Sequence, residues 1–122
     1  MARSKGSDED TIVSLQASAF LDVHHSRFAL VMESGPGAPR EHALGVSETV
    51  IGRGVDTDFA VDSPKLSRRH ARVVRFGEDF SIEDLDSRNG VIVNGVKVHS
   101  ATLREGDTIH LGDVVFKCRV RG

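Results

Sequence analysis

The chain has no tryptophan, no tyrosine, a single cysteine and three prolines. Each scarcity removes a class of explanation. With only six Phe as aromatic rings, there is little on which unpaired bases could stack, which argues against a reader of single-stranded nucleic acid. The lone Cys118 makes no internal disulfide and suits a reducing compartment. No apolar run approaches the roughly 20 residues a membrane span needs. The opening MARSKGSDED also lacks the apolar core of a signal peptide. A cytoplasmic protein without a membrane partner is the expectation. Excess positive charge is missing as well: the formal net charge is −2, so any affinity for anions must come from local clustering.

What is present is one domain's worth of chain, 122 residues, with 39% hydrophobic and 28% charged residues. These are ordinary values for a globular protein. Residues 1–26 read as a flexible N-terminal tail and residues 27–122 as the folded domain. From Phe28 onward, short apolar runs alternate with turn signals. FALVM, ALGV, TVIGR, FAVD, HARVVRF, FSIEDL, VIVNG, TIHLG and VVFKCRV are separated by segments rich in Gly, Pro, Asp and Asn. In the last run Val114, Phe116, Cys118 and Val120 fall on one face, with Val115, Lys117, Arg119 and Arg121 on the other. No segment of ten or more residues keeps a helical period. The expected fold is all-β, a two-sheet antiparallel sandwich of about 10 to 11 strands. The abrupt end after the last strand suits a domain cut from a longer polypeptide.

Three loop-like islands carry the unusual chemistry. Gly52-Arg53 places a guanidinium at a strand end, next to a residue whose bare backbone permits close approach. Arginine offers paired planar donors that match phosphate oxygens. The run KLSRRHAR packs Lys65, Arg68, Arg69, His70 and Arg72 into eight residues and adds the hydroxyl of Ser67. His70 leads into a strand and is read as a brace for the loop. The run DLDSRNGVIVNG contains two Asn-Gly pairs, signals of tight turns. That is the reading for Asn94-Gly95. At Asn89-Gly90 the amide has a second use, because it can donate to and accept from an extended peptide at once. Arg88 beside it adds a cation.

Glycine-arginine, then S-x-x-H beginning fourteen residues after the arginine, then S-x-N-G and a second N-G, resembles the forkhead-associated (FHA) domain. The similarity extends over about residues 28–120. The resemblance implies an eleven-stranded sandwich whose apical loops bind phosphothreonine peptides. It implies that Arg53 and Ser67 contact the phosphate, that Arg68 reaches phosphate or peptide, and that Asn89 holds the peptide backbone. Gly52, His70, Gly90 and Asn94 would shape the loops. Many members carry threonine where this chain has Arg88, so a guanidinium stands in place of one hydroxyl. The partners implied are a phosphothreonine peptide or protein, in cis or in trans, and the Ser/Thr kinase that modifies it; no cofactor or metal is called for.

Thr11 lies in SDEDTIV, with three acidic residues before it and two β-branched residues after it. It is a candidate phosphosite that the domain could capture in cis, to regulate an output domain outside this chain, such as a diguanylate cyclase. Two other classes compete. KLSRRHAR could hold a nucleic-acid backbone, although no reading helix accompanies it, or the module could bind protein without phosphate. An enzyme is not expected: there is no G-x-S-x-G, H-E-x-x-H or Walker loop.

Overall fold

The computed structural model describes residues 28–121. Thr11 and the rest of the segment assigned as a tail lie outside the described residues. Within them all regular structure is β. The strands are β1 (Phe28–Ser34), β2 (Arg40–Ala43), β3 (Thr49–Gly52), β4 (Phe59–Ala60), β5 (Ala71–Phe76), β6 (Asp79–Asp84), β7 (Val91–Val93), β8 (Val96–Val98), β9 (Ser100–Leu103), β10 (Thr108–Leu111) and β11 (Val114–Val120). One sheet runs β9-β6-β5-β3-β4 and the other β2-β1-β11-β10-β7-β8. This is the two-sheet sandwich expected from the turn spacing.

Alternation builds the core. In β11, Val114, Phe116 and Cys118 are buried while Val115, Lys117 and Arg119 are half-buried; Phe80 and Ile82 of β6 alternate with Ser81 in the same way. Val120, at the end of β11, breaks the rule and is exposed. Two edge-to-face aromatic pairs cross between the sheets, Phe59 on Phe116 at 5.3 Å and Phe28 on Phe80 at 5.1 Å. Such pairs contribute about 0.5–1.5 kcal/mol each beyond their buried area.

Three local expectations are corrected. ALGV is not a strand; the neighbouring Arg40–Ala43 is, paired along β1 as an edge. Its polar residues fit an edge strand with little to bury. The segments Val96–Val98 and Ser100–Leu103 are also strands, short and largely exposed, with too little apolar content to announce themselves. Finally, the sandwich is not wholly antiparallel: β3 and β4 pair in parallel, Ile51 with Phe59 and Gly52 with Ala60. Asp58 makes this return possible. Its N–H donates to Val50 O and its carboxylate accepts from Val50 N at 2.8 Å.

The topology fixes two ends. Phe28 pairs with Val120, and Ser34 pairs with Val115, so β1 begins at the base and ends at the apex. The apical end gathers the β3–β4, β4–β5 and β6–β7 loops together with the β10–β11 turn, where Ser63 Oγ donates to Asp113 Oδ1 at 2.6 Å.

Candidate functional site

Close approach of backbone begins the site. A Cβ placed on Gly52 would lie 2.1 Å from Arg68 O and 2.9 Å from Ser67 O. Only glycine lets the end of β3 lie this near the β4–β5 loop. The two segments are then stitched by Arg53 N to Ser67 O and Gly54 N to Arg68 O, each 3.0 Å. Arg53 Nε donates to Leu66 O at 3.1 Å, which orients its guanidinium across the loop while the side chain stays exposed.

Ser67 ties three loops together. Its carbonyl accepts from Arg53, its N–H donates to His70 Nδ1 at 3.1 Å, and its Oγ accepts from Arg88 N at 3.0 Å. The hydroxyl proton has no acceptor among the described residues and is free to donate outward. His70 is fully buried. Because a backbone N–H can only donate, Nδ1 carries the lone pair, and Nε2 carries the proton it donates to Gly90 O at 2.8 Å. His70 therefore clamps the β4–β5 loop to the β6–β7 loop. This is the bracing role read from its position at the start of β5.

The β6–β7 loop is held from within. Ser87 N donates to Asp84 Oδ1, and Gly90 N donates to Ser87 Oγ. Gly90 has a φ of 80°, the left-handed region that favours glycine. Asn89 Nδ2 donates to Lys65 O at 2.6 Å, which spends one amide proton and leaves a second proton and the carbonyl for another partner.

The result is an apical cavity of about 220 Å³ lined by Arg53, Pro64, Lys65, Leu66, Ser67, Arg68 and Arg88. Arg53, Ser67, Arg68 and Arg88, expected together from the sequence, do meet here, with Asn89 hydrogen-bonded to Lys65 of the lining. Four lining residues are cationic and none is acidic, in a chain of net charge −2. Lys65 belongs to the same basic run, but nothing in sequence says which of its clustered basic residues line the cavity. Asn94 is elsewhere. It sits in the β7–β8 turn at a φ of 51°, where its amide bonds Asp107 Oδ1 and Thr108 N, both at 2.9 Å. It shapes a loop at the far end of β7, not the apical one. Among the described residues no group of three or more His, Cys, Asp or Glu could hold a metal ion, and no helix is long and apolar enough to cross a membrane.

A two-sheet sandwich whose hydrogen-bonded apical loops surround a cationic cavity has the form of an anion-binding module. Residues 49–112 match the family model of the FHA domain. The glycogen accumulation regulator GarA of Mycolicibacterium smegmatis is 39% identical over 83 residues, 68% of this chain and 52% of that protein. The chain thus spans about half the length of that relative. The FhaA FHA domain, solved in complex with the intracellular domain of Rv3910, superposes with a TM-score of 0.70 at 33% identity, covering 75% of this chain and 99% of that one. Mycobacterium tuberculosis EmbR, solved with a low-affinity phosphopeptide, superposes at 0.70 with 27% identity, covering 90% of this chain and 30% of that one. The chain belongs to the FHA domain family.

Proposed function

We propose that this domain reads phosphothreonine in an extended peptide and acts in signalling through that contact. The observation that carries the reading is the convergence of Arg53, Ser67, Arg68 and Arg88 on one cavity without a carboxylate. A phosphothreonine brings a charge of about −1.5 to −2 and three acceptor oxygens. Arg53 and Ser67 take the phosphate, Arg68 the phosphate or the peptide, and Arg88 supplies charge where a threonine hydroxyl is common in the family. Asn89 holds the peptide backbone. Hydrogen bonds to charged groups contribute about 1.5–3 kcal/mol each, so two or three with backbone contacts reach about −8 kcal/mol, near micromolar. Calorimetry with a phosphothreonine peptide and its unphosphorylated twin tests this. Binding of the first alone supports the reading; equal binding of both, or of neither, refutes it.

The finer proposal is that residues 1–26 are a flexible tail whose Thr11, once phosphorylated by a Ser/Thr kinase, occupies the same site in cis and so controls an output domain outside this chain. Its support is the acidic SDEDTIV context and the length of chain available. Thr11 precedes Phe28 by 17 residues, and Phe28 enters at the base, opposite the cavity. A flexible tail of this length has a root-mean-square span of about 22 Å and a limit of roughly 58 Å. The sandwich is on the order of 25 Å from base to apex, judged from the seven residues of β1. The tail is therefore long enough to double back along the domain, and a micromolar site facing a millimolar effective concentration would be closed about a thousandfold. NMR of the phosphorylated chain tests it: a mobile Thr11 with a site still open to added peptide refutes capture.

A further inference from the structure

We infer that the ligand of this site carries carboxylates beside its phosphothreonine, because the cavity holds more positive charge than a phosphate can neutralise. The inference rests on the phosphothreonine reading and adds the chemistry of the flanking residues. Arg53, Lys65, Arg68 and Arg88 supply four positive charges to the lining, and phosphothreonine supplies about −1.5 to −2. About two charges remain, and Arg69 stands exposed beside them in the chain.

Several cations elsewhere in the domain have partners, although Lys97, Arg104 and Lys117 form no ion pair among the described residues. Arg72 pairs with Glu48 and Glu83, Arg119 with Glu33 and Glu105, and Arg121 with Glu41. Arg40 lies over the Phe59 ring and donates to Ala60 O. Among the described residues Arg53, Lys65, Arg68, Arg69 and Arg88 have no carboxylate within ion-pair distance. The carboxylates on nearby loops, Asp62 and Asp86 included, keep their charge but form no ion pair with these cations. Asp113 accepts from Ser63, Asp84 from Ser87 N, and Asp56, packed at Gly54, pairs with none of these cations. Held together without a direct ion pair, the apical cations repel one another, and a bound anion relieves that repulsion. A phosphate alone relieves half of it.

Lys65 is the residue whose role distinguishes a flank reader from a phosphate reader. Its carbonyl is committed to Asn89, while its ammonium is a compact point charge without the fork that suits phosphate. As part of the cavity lining, it takes a carboxylate of the neighbouring ligand residues. Arg68 and Arg69 extend the same field along the β4–β5 loop. The matching ligand has two or three Asp or Glu within three residues of its phosphothreonine. The chain's own Asp8, Glu9 and Asp10, before Thr11, have that chemistry.

The test compares synthetic SDED(pT)IV with SNQN(pT)IV by calorimetry on the domain, at low and high salt, with a DNA duplex as a third arm. The acidic peptide is expected to bind roughly tenfold tighter at low salt, with the gap closing as salt screens the flanks. Lys65→Gln, which leaves the carbonyl used by Asn89 in place, should cut the ratio between the two peptides to about threefold. Equal affinity of the two peptides at low salt overturns the flank inference while leaving the phosphothreonine reading intact, as does a ratio unmoved by Lys65→Gln. Binding of neither peptide overturns both, and duplex DNA binding as tightly as the acidic peptide assigns the surplus charge to a nucleic-acid backbone instead.

Discussion

At the scale of single residues, Gly52 and Arg53 act as a pair with opposite sensitivities. Arg53 is exposed, so Arg53→Ala should leave the melting temperature close to that of the parent. It should weaken phosphopeptide binding by about 2–5 kcal/mol, beyond calorimetric detection for a micromolar site. Gly52→Ala should do the reverse first. Its methyl would meet the Arg68 and Ser67 carbonyls, so the loops must part, at a cost of about 1–3 kcal/mol in chemical denaturation. His70→Ala should cost about 2–4 kcal/mol, because it leaves Gly90 O and Ser67 N without their buried partner and removes a packed ring. An Arg53→Ala variant that binds normally would mean that the guanidinium serves only solubility. Much of this was legible beforehand, since a glycine-arginine step, a serine and an asparagine-glycine step have few joint uses. The place of Lys65 in the cavity lining was not, because it depends on the backbone path, where Asn89 takes its carbonyl and Gly112 packs against it.

At the scale of elements, the buried strands could be read and the edges could not. β5, β6, β10 and β11 declare themselves by alternation, since one face of each must leave water. β2, β8 and β9 have little or no buried face and therefore little signal. β11 also carries a pH dependence. Burial pushes the Cys118 thiol up to about 12 from its ordinary value of 9.0, with the charges of Asp107 and Glu105 adding to the effect. A folded-state value raised above the unfolded one contributes stability below the unfolded value, and this is lost as pH rises. Stability should thus be flat around this group at neutral pH and decline from about pH 9 toward 12 as the unfolded thiol ionises. At pH 8 iodoacetamide should leave native Cys118 unmodified and alkylate it in denaturant. Rapid alkylation of the native protein would show that β11 opens locally.

At the scale of the whole molecule, the sandwich separates entry from recognition. The chain enters at the base beside Val120 and the cationic cavity lies at the apex. That separation was invisible in sequence, because it is set by the direction of β1. Likewise Asn94, grouped with the loop-shaping residues by its motif, lies at the opposite end of β7 from the cavity. Self-capture therefore depends on tail length. Deleting residues 14–23 leaves Thr11 seven positions before Phe28, a limit of roughly 24 Å, too short to turn around the base and reach the apex. Such a variant, phosphorylated at Thr11, should leave the site open to added peptide, while the full-length phosphorylated chain excludes it. Exclusion by both would place the tail's binding site elsewhere or in a second molecule.

The most direct test of the central claim is calorimetric titration of the domain with SDED(pT)IV, with the same peptide carrying unmodified Thr, and with the Arg53→Ala variant as receiver. Near-micromolar binding that requires both the phosphate and Arg53 is the predicted result. Binding that survives loss of either one would contradict the assignment of the apical cavity as a phosphothreonine site.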